Sequence, residues 1–266
     1  MTRTRPTLAG LTVLVPRARD QAGELSALLR SRGAEPLEVP AIEIRPVAST
    51  AELDRAVEDL AAGRFDWVVL TSVNGVAALR DRAEAAGRGP GALGPARVAA
   101  VGPATEAALR AWGVAPDLVP EVATTTALGH AFPGPGGAGR VLLARADLAN
   151  PELGAILRDK GWDPVEVVAY HTVPVSALDP AARRRLDDGQ VDWVAFTASS
   201  TVTGFLAGYG GPPPPGTRVA AIGPVTAATA GAAGIRVAAT ASEHTIPGLV
   251  AAIEGAVIAD PAGGVG

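Results

Sequence analysis

Four short stretches carry residue types suited to holding an anion. Gly102-Pro103-Ala104-Thr105 and Gly223-Pro224-Val225-Thr226 each follow an apolar run, as do Thr71-Ser72-Val73-Asn74 and Thr197-Ala198-Ser199-Ser200. Pro suits the first turn of a helix, where its missing N–H would lack an acceptor anyway. Gly lets a ligand approach the backbone closely. Hydroxyls, a side-chain amide and free N–H groups at the positive end of a helix dipole then make an uncharged cradle for negative charge. The plainer account is capping, because Ser, Thr and Asn occupy N-caps in any fold. A single site of this kind would favour capping; four, paired along the chain, favour anion binding.

Other chemistries fit less well. The chain has no cysteine, which excludes disulfides, iron–sulfur clusters and cysteine nucleophiles. His130, His171 and His244 lack metal-ligand spacing, so no metal is expected. Lys160, the sole lysine, lies in no GxxxxGK loop; GxGxxG after the first apolar run and GxSxG are also absent. A net charge of −4 argues against a nucleic-acid partner. Arg183-Arg184-Arg185, beside Asp187 and Asp188, reads as a solvated helix face. No apolar run reaches the ~20 residues of a membrane span. No apolar segment of leader type follows Met1–Pro6, so a cytoplasmic protein is expected.

The elements that must position these loops are short. Apolar runs at 11–15, 66–71, 97–101, 139–143, 191–196 and 217–222 read as parallel strands buried on both faces. Helical patterns follow at 20–32, 50–62, 73–86, 103–112, 148–160, 180–188, 199–207, 224–233 and 245–256. Several end at Gly, as at Gly33 and Gly161. Loops are expected at 87–96, 133–139 and 209–216, the last holding Pro212–Pro215, and fraying at 261–266. Strand–helix alternation predicts an α/β fold with parallel sheets, and loops at one carboxyl edge face one side.

The pattern occurs twice. VAAVGPATEAALRAWG at 98–113 matches VAAIGPVTAATAGAAG at 219–234, an offset of 121. Asp66–Thr71 echoes Asp192–Thr197 at 126, and Val13–Arg17 echoes Val141–Arg145 at 128, continuing through Glu38 and Glu166. Two copies of one unit follow, which would place a cleft between two similar domains.

The repeat, the Thr-Ser-x-Asn loop, the doubled Val/Ile-Gly-Pro-x-Thr block and Val165-Glu166-Val167-Val168-Ala169-Tyr170-His171-Thr172-Val173 together resemble the uroporphyrinogen-III synthase family. The resemblance runs from about Leu11 to about Ile253. It implies two similar flavodoxin-like α/β domains joined by a two-stranded linker. On this chain 1–37 with 174–266 would form one domain, 46–165 the other, and 38–45 with 166–173 the crossing strands. The repeat alone would suggest two sequential halves. The resemblance also implies a substrate, hydroxymethylbilane, a linear tetrapyrrole with eight carboxylates. It is closed to uroporphyrinogen III with inversion of its last ring and loss of water, without metal or organic cofactor.

Carried over residue by residue, the resemblance implies substrate contacts at Thr71, Ser72, Asn74, Gly102, Thr105, Thr197, Ser199, Ser200, Gly223 and Thr226. Arg17 stands where the family often has Thr-Arg-Pro, here Pro16-Arg17-Ala18, and is expected to bind substrate, as is its repeat partner Arg145, which would meet a carboxylate. Ala198-Ser199 replaces a common Ser-Pro. Tyr170 would be the general acid, or would only pack the linker and bind substrate. His171 would point away from it in an extended strand. A monomer is expected, with at most transient contact with hydroxymethylbilane synthase. Two alternatives stay open: a non-catalytic tetrapyrrole or polyanion sensor of the same fold, and a periplasmic-type binding protein, which the leaderless N-terminus disfavours.

Overall fold

The structure, a computed structural model, describes residues 7–137 and 139–260; the expected fraying at 261–266 lies outside them. Among the described residues the strands are β1 (Thr12–Val15), β2 (Glu35–Glu38), β3 (Ile42–Pro46), β4 (Trp67–Leu70), β5 (Arg97–Ala100), β6 (Gly139–Ala146), β7 (Trp162–Pro174), β8 (Trp193–Phe196), β9 (Arg218–Ala221) and β10 (Ala239–Thr240). The α-helices are α1 (Gly23–Ser31), α2 (Ala51–Ala61), α3 (Val73–Ala85), α4 (Pro103–Ala111), α5 (Thr125–Ala131), α6 (Glu152–Asp159), α7 (Pro180–Asp187), α8 (Ser199–Tyr209), α9 (Pro224–Ala232) and α10 (Ile246–Ala259). Among the described residues, no helix is long and apolar enough to cross a membrane.

The chain divides into two compact units. The described residues up to Glu43 and from Val173 onward form the first, and Ile44–Thr172 the second. Strand pairing shows why the units are not sequential halves. β1 pairs in parallel with β8, Val13 opposite Trp193, so the chain's start and its last third share a sheet. That sheet runs β2-β1-β8-β9-β10. Numbered within its own unit, the order is 2-1-3-4-5, that of flavodoxin-like sheets, with its switch point between β1 and β8.

The second sheet runs β3-β7-β6-β4-β5. By the repeat offsets, β7, β6, β4 and β5 correspond to β2, β1, β8 and β9. A parallel bridge from Ala99 to Leu118 stands where Ala220 pairs with Ala239. The second unit is therefore the same sheet entered at its third strand, with β3 added beside β7. Each sheet is buried on both faces, as continuous apolar strands require. Val13 and Val15 pack into one cluster and Leu14 into another. Val68 and Leu70 likewise face one cluster, Trp67 and Val69 a second.

Several elements differ from the sequence reading, among them the short strands β2 and β10 and a 3-10 turn at Gly89–Leu93 within the expected loop 87–96. Segment 38–45 is not one strand: β2 ends at Glu38 and β3 begins at Ile42. Pro40 lies in the gap, and proline cannot donate to a ladder. A helix at 125–131, α5, falls where none was expected, because seven residues with one buried leucine show little periodicity. α6 begins at Glu152 rather than 148, behind Pro151. Elsewhere the expected boundaries hold within a few residues, and Gly33 and Gly161 close α1 and α6 with φ of 87° and 94°.

Candidate active site

In the second unit, Tyr170 and the start of α3 come together. Ser72 is the N-cap of α3, and its Oγ accepts the Gly75 N–H at 3.0 Å. The same Oγ lies 2.9 Å from the Tyr170 hydroxyl. Asn74 also hydrogen-bonds Tyr170. Tyr170 is 8% exposed. Burial is the largest influence on its phenol and, with the charge of Asp147, lifts its pKa above 10.0, while Ser72 and Asn74 pull the other way. Two polar partners at the N-terminus of α3 thus hold the phenol in place, and either hydroxyl of the Ser72–Tyr170 pair can be the donor.

A β-bulge brings Tyr170 to this position. β6 and β7 pair in register from Gly139↔Trp162 to Arg145↔Val168, and then Ala146 pairs with Tyr170. Ala169 is the extra residue. Before it, Val165 and Val167 face the cluster beneath α2 and α3, while Glu166 faces α6. Strict alternation would send Tyr170 to the Glu166 side. The bulge re-aims it, so that Ala169 and Tyr170 both join the α2–α3 cluster. His171 does leave that face, and its Nδ1 lies 2.8 Å from Asp147 Oδ2.

The other expected residues are placed as follows. Gly102 and Gly223 precede α4 and α9, whose first helical residue is Pro and whose ends have no side-chain cap. Both glycines have extended φ, 179° and −178°. Their reason differs from the expected opening toward a ligand: the chain itself fills the space. A Cβ at Gly102 would lie 2.6 Å from the Ala123 Cβ, and one at Gly223 would lie 2.9 Å from the His244 ring. Thr105 and Thr226 are 3% and 5% exposed, so these turns offer solvent mainly backbone. The N–H groups of Ala104, Thr105, Val225 and Thr226 fall where a helix supplies no acceptor.

Thr71 and Thr197 directly follow β4 and β8 and are half-buried. Ser200 is half-buried in the first turn of α8, and Ser199 Oγ lies 2.8 Å from Thr229 Oγ1, which itself donates to the Val225 carbonyl. The N-cap of α8 is Ala198, which has no side-chain acceptor.

Arg17, just after β1, and Arg145, near the end of β6, occupy equivalent places in the repeat and differ sharply. The Arg145 side chain is 6% exposed and pairs with Glu166, while its other arm donates to the Asn150 carbonyl at 2.8 Å. It is thus turned inward rather than presented to a carboxylate from outside, as had been expected. Arg17 has no hydrogen-bond or ion-pair partner among the described residues. Burial pulls its pKa down and nearby Glu24 and Asp20 oppose this, but a guanidinium stays charged. It stands at the switch point of the first sheet, beside the loop that follows β8.

Two features escaped the sequence reading. Thr124 and Thr245 cap α5 and α10, accepting from Ala127 and Gly248 at 3.1 and 3.0 Å. They keep the offset of 121, so extending the repeat past Gly113 and Gly234 would have found them. Asp147 gave no such signal, because its repeat counterpart is Arg19.

Two flavodoxin-like sheets, with helix N-termini at their carboxyl edges and, in the second unit, a buried phenol beside one of them, define a duplicated α/β protein. The chain belongs to the uroporphyrinogen-III synthase HemD family, whose profile matches residues 23–251. It is similar to a uroporphyrinogen-III synthase from Synechococcus elongatus, 33% identical over 255 residues, which cover 93% of this chain and 96% of that one. It also matches a porphyrin biosynthesis protein HemD from Ruminiclostridium josui, 31% identical over 75% of this chain and 40% of that protein. A crystal structure of a mutant uroporphyrinogen III synthase from Thermus thermophilus superposes with a TM-score of 0.67 at 23% identity, covering 94% of this chain and 100% of the other. That likeness supports the fold.

Proposed function

We propose that this chain closes hydroxymethylbilane to uroporphyrinogen III and that Tyr170 faces the reacting end of the substrate. The observation that carries this reading is the buried Tyr170 phenol, 2.9 Å from Ser72 Oγ at the N-terminus of α3 and hydrogen-bonded to Asn74. Loss of the hydroxymethyl oxygen as water needs a proton donor, and a phenol with a raised pKa supplies one at neutral pH. The resulting azafulvene cation attacks the substituted carbon of the terminal pyrrole. The spiro intermediate then fragments and recloses with that ring inverted. The protein's larger task is to hold a flexible chain in one geometry, since orientation contributes roughly 7–11 kcal/mol in favourable intramolecular reactions.

Eight carboxylates call for many donors. In this reading the uncapped N-termini of α4, α8 and α9 take carboxylates through backbone N–H groups, and Arg17 supplies a charge-assisted contact. Thr105 and Thr226 shape their turns from beneath, and Arg145 holds β6 to β7. The enzyme works as a monomer in the cytoplasm, meeting hydroxymethylbilane synthase only transiently.

Product isomer analysis tests the reading. Fresh hydroxymethylbilane is incubated with the protein, the products are oxidised, and the porphyrin isomers are separated. A dominant type III product is expected. Type I alone, the uncatalysed closure, would overturn the enzyme reading in favour of a tetrapyrrole-binding sensor.

A further inference from the structure

Asp147, in the loop after β6, grips three consecutive residues of β7. Its N–H donates to the Tyr170 carbonyl at 3.2 Å. Its Oδ1 accepts the Thr172 N–H at 3.2 Å, and its Oδ2 meets His171 Nδ1 at 2.8 Å. Oδ1 also accepts the Leu148 N–H at 3.0 Å, which fixes the carboxylate on its own loop. The grip begins at the register shift, where Ala146 pairs with Tyr170 instead of Ala169. A bulge leaves one residue unpaired, and an alternative register one residue away would swing every following side chain to the other face.

We propose that Asp147 is a positioning residue for Tyr170: its contacts with Tyr170, His171 and Thr172 lock the bulged register that aims the phenol at Ser72. The inference rests on the reading that Tyr170 touches substrate. It explains why an exposed-loop carboxylate is spent entirely on backbone amides and one imidazole. The same negative charge also helps keep the phenol protonated.

The test is a double-mutant cycle on the full chain, with kcat, KM and the type III to type I ratio as readouts. Asp147→Ala is expected to lower kcat about tenfold, the scale of a small misplacement, with KM changed less than about twofold. In a Tyr170→Phe background the same change should have no further effect on kcat, because Asp147 acts through the hydroxyl that is already gone. Asp147→Asn keeps the oxygen needed by Leu148 and Thr172 and should recover most of the lost kcat. If Asp147→Ala does not fold, His171→Ala, which removes one of the three contacts, takes its place in the cycle. An unchanged kcat, or losses that multiply in the double variant, overturns the inference. An undiminished Tyr170→Phe enzyme would instead overturn the role of Tyr170 itself.

Discussion

Arg145 and Glu166 form an ion pair that has no counterpart at the equivalent positions, Arg17 and Glu38. The outer pair is common to both units: Arg30 meets Glu38 at 3.5 Å and Arg158 meets Glu166 at 3.4 Å, the same two positions of the repeat. Only in the second unit does the inner arginine join. The duplication thus kept a charge network in both copies, extended it across β6 and β7 in one, and left a guanidinium without a hydrogen-bond or ion-pair partner among the described residues in the other.

Removing either arginine should therefore have opposite signatures. Arg145→Ala leaves Glu166 and the Asn150 carbonyl without their partner. It should cost about 2–3 kcal/mol in urea unfolding, at or below the low end for breaking a buried pair because Glu166 stays 35% exposed. Arg17→Ala should leave the unfolding midpoint in place and raise KM roughly tenfold, the value of one charge-assisted hydrogen bond. Equal effects of the two changes on KM would show that the asymmetry has no bearing on binding.

Tyr170→Phe should reduce kcat roughly 100-fold, within the range of general acid catalysis, with the unfolding transition preserved. Ser72→Ala removes both a hydrogen-bond partner of the phenol and the cap of α3. It should lower kcat and also cost about 1 kcal/mol of stability. Far-ultraviolet circular dichroism during urea unfolding separates the two effects.

Gly102→Ala should destabilise the second unit by about 1–3 kcal/mol, the usual penalty for overpacking. Its new Cβ would lie 2.6 Å from the Ala123 Cβ, an atom fixed to the backbone with no rotamer to give. Adding Ala123→Gly should restore most of the loss. Gly223→Ala should cost less, because the His244 ring can turn aside. A Gly102→Ala protein as stable as the parent would mean that the loop before α5 is not held against this turn.

The two tyrosines offer a pH test. Burial, and for Tyr209 also the Asp187 carboxylate 2.6 Å away, raises both phenols, Tyr209 to about 12. The folded chain therefore binds more protons than the unfolded chain above about pH 10, the ordinary phenol value. The stability this represents is fully present below that pH and is lost as pH rises through the higher folded values. Ultraviolet difference spectra at about pH 10 should show less tyrosinate in the native protein than in urea, where ionisation is about half. Equal signals in the two states would contradict the burial of Tyr170.

Much of this molecule was legible in its residues. The apolar runs, too continuous to be half-exposed strands, determined an α/β fold with sheets buried on both faces. The doubled blocks determined that it is built twice. The Gly-Pro-x-Thr and Thr-Ser-x-Asn loops marked the helix ends at the carboxyl edges, because capping and turn preferences are local. Tertiary structure decided what is non-local. Pairing of Val13 with Trp193 assigned the chain's two ends to one sheet, a choice the repeat left open. Packing of Ala123 and His244 explained the glycines that looked like openings for a ligand. Two arginines alike in sequence parted ways because one meets Glu166 across neighbouring strands. The aim of Tyr170 turns on a single bulged residue, Ala169, and on an aspartate 23 positions earlier in the chain. Alternation read from sequence assumes an unbroken ladder, and only the partner strand shows where the ladder slips.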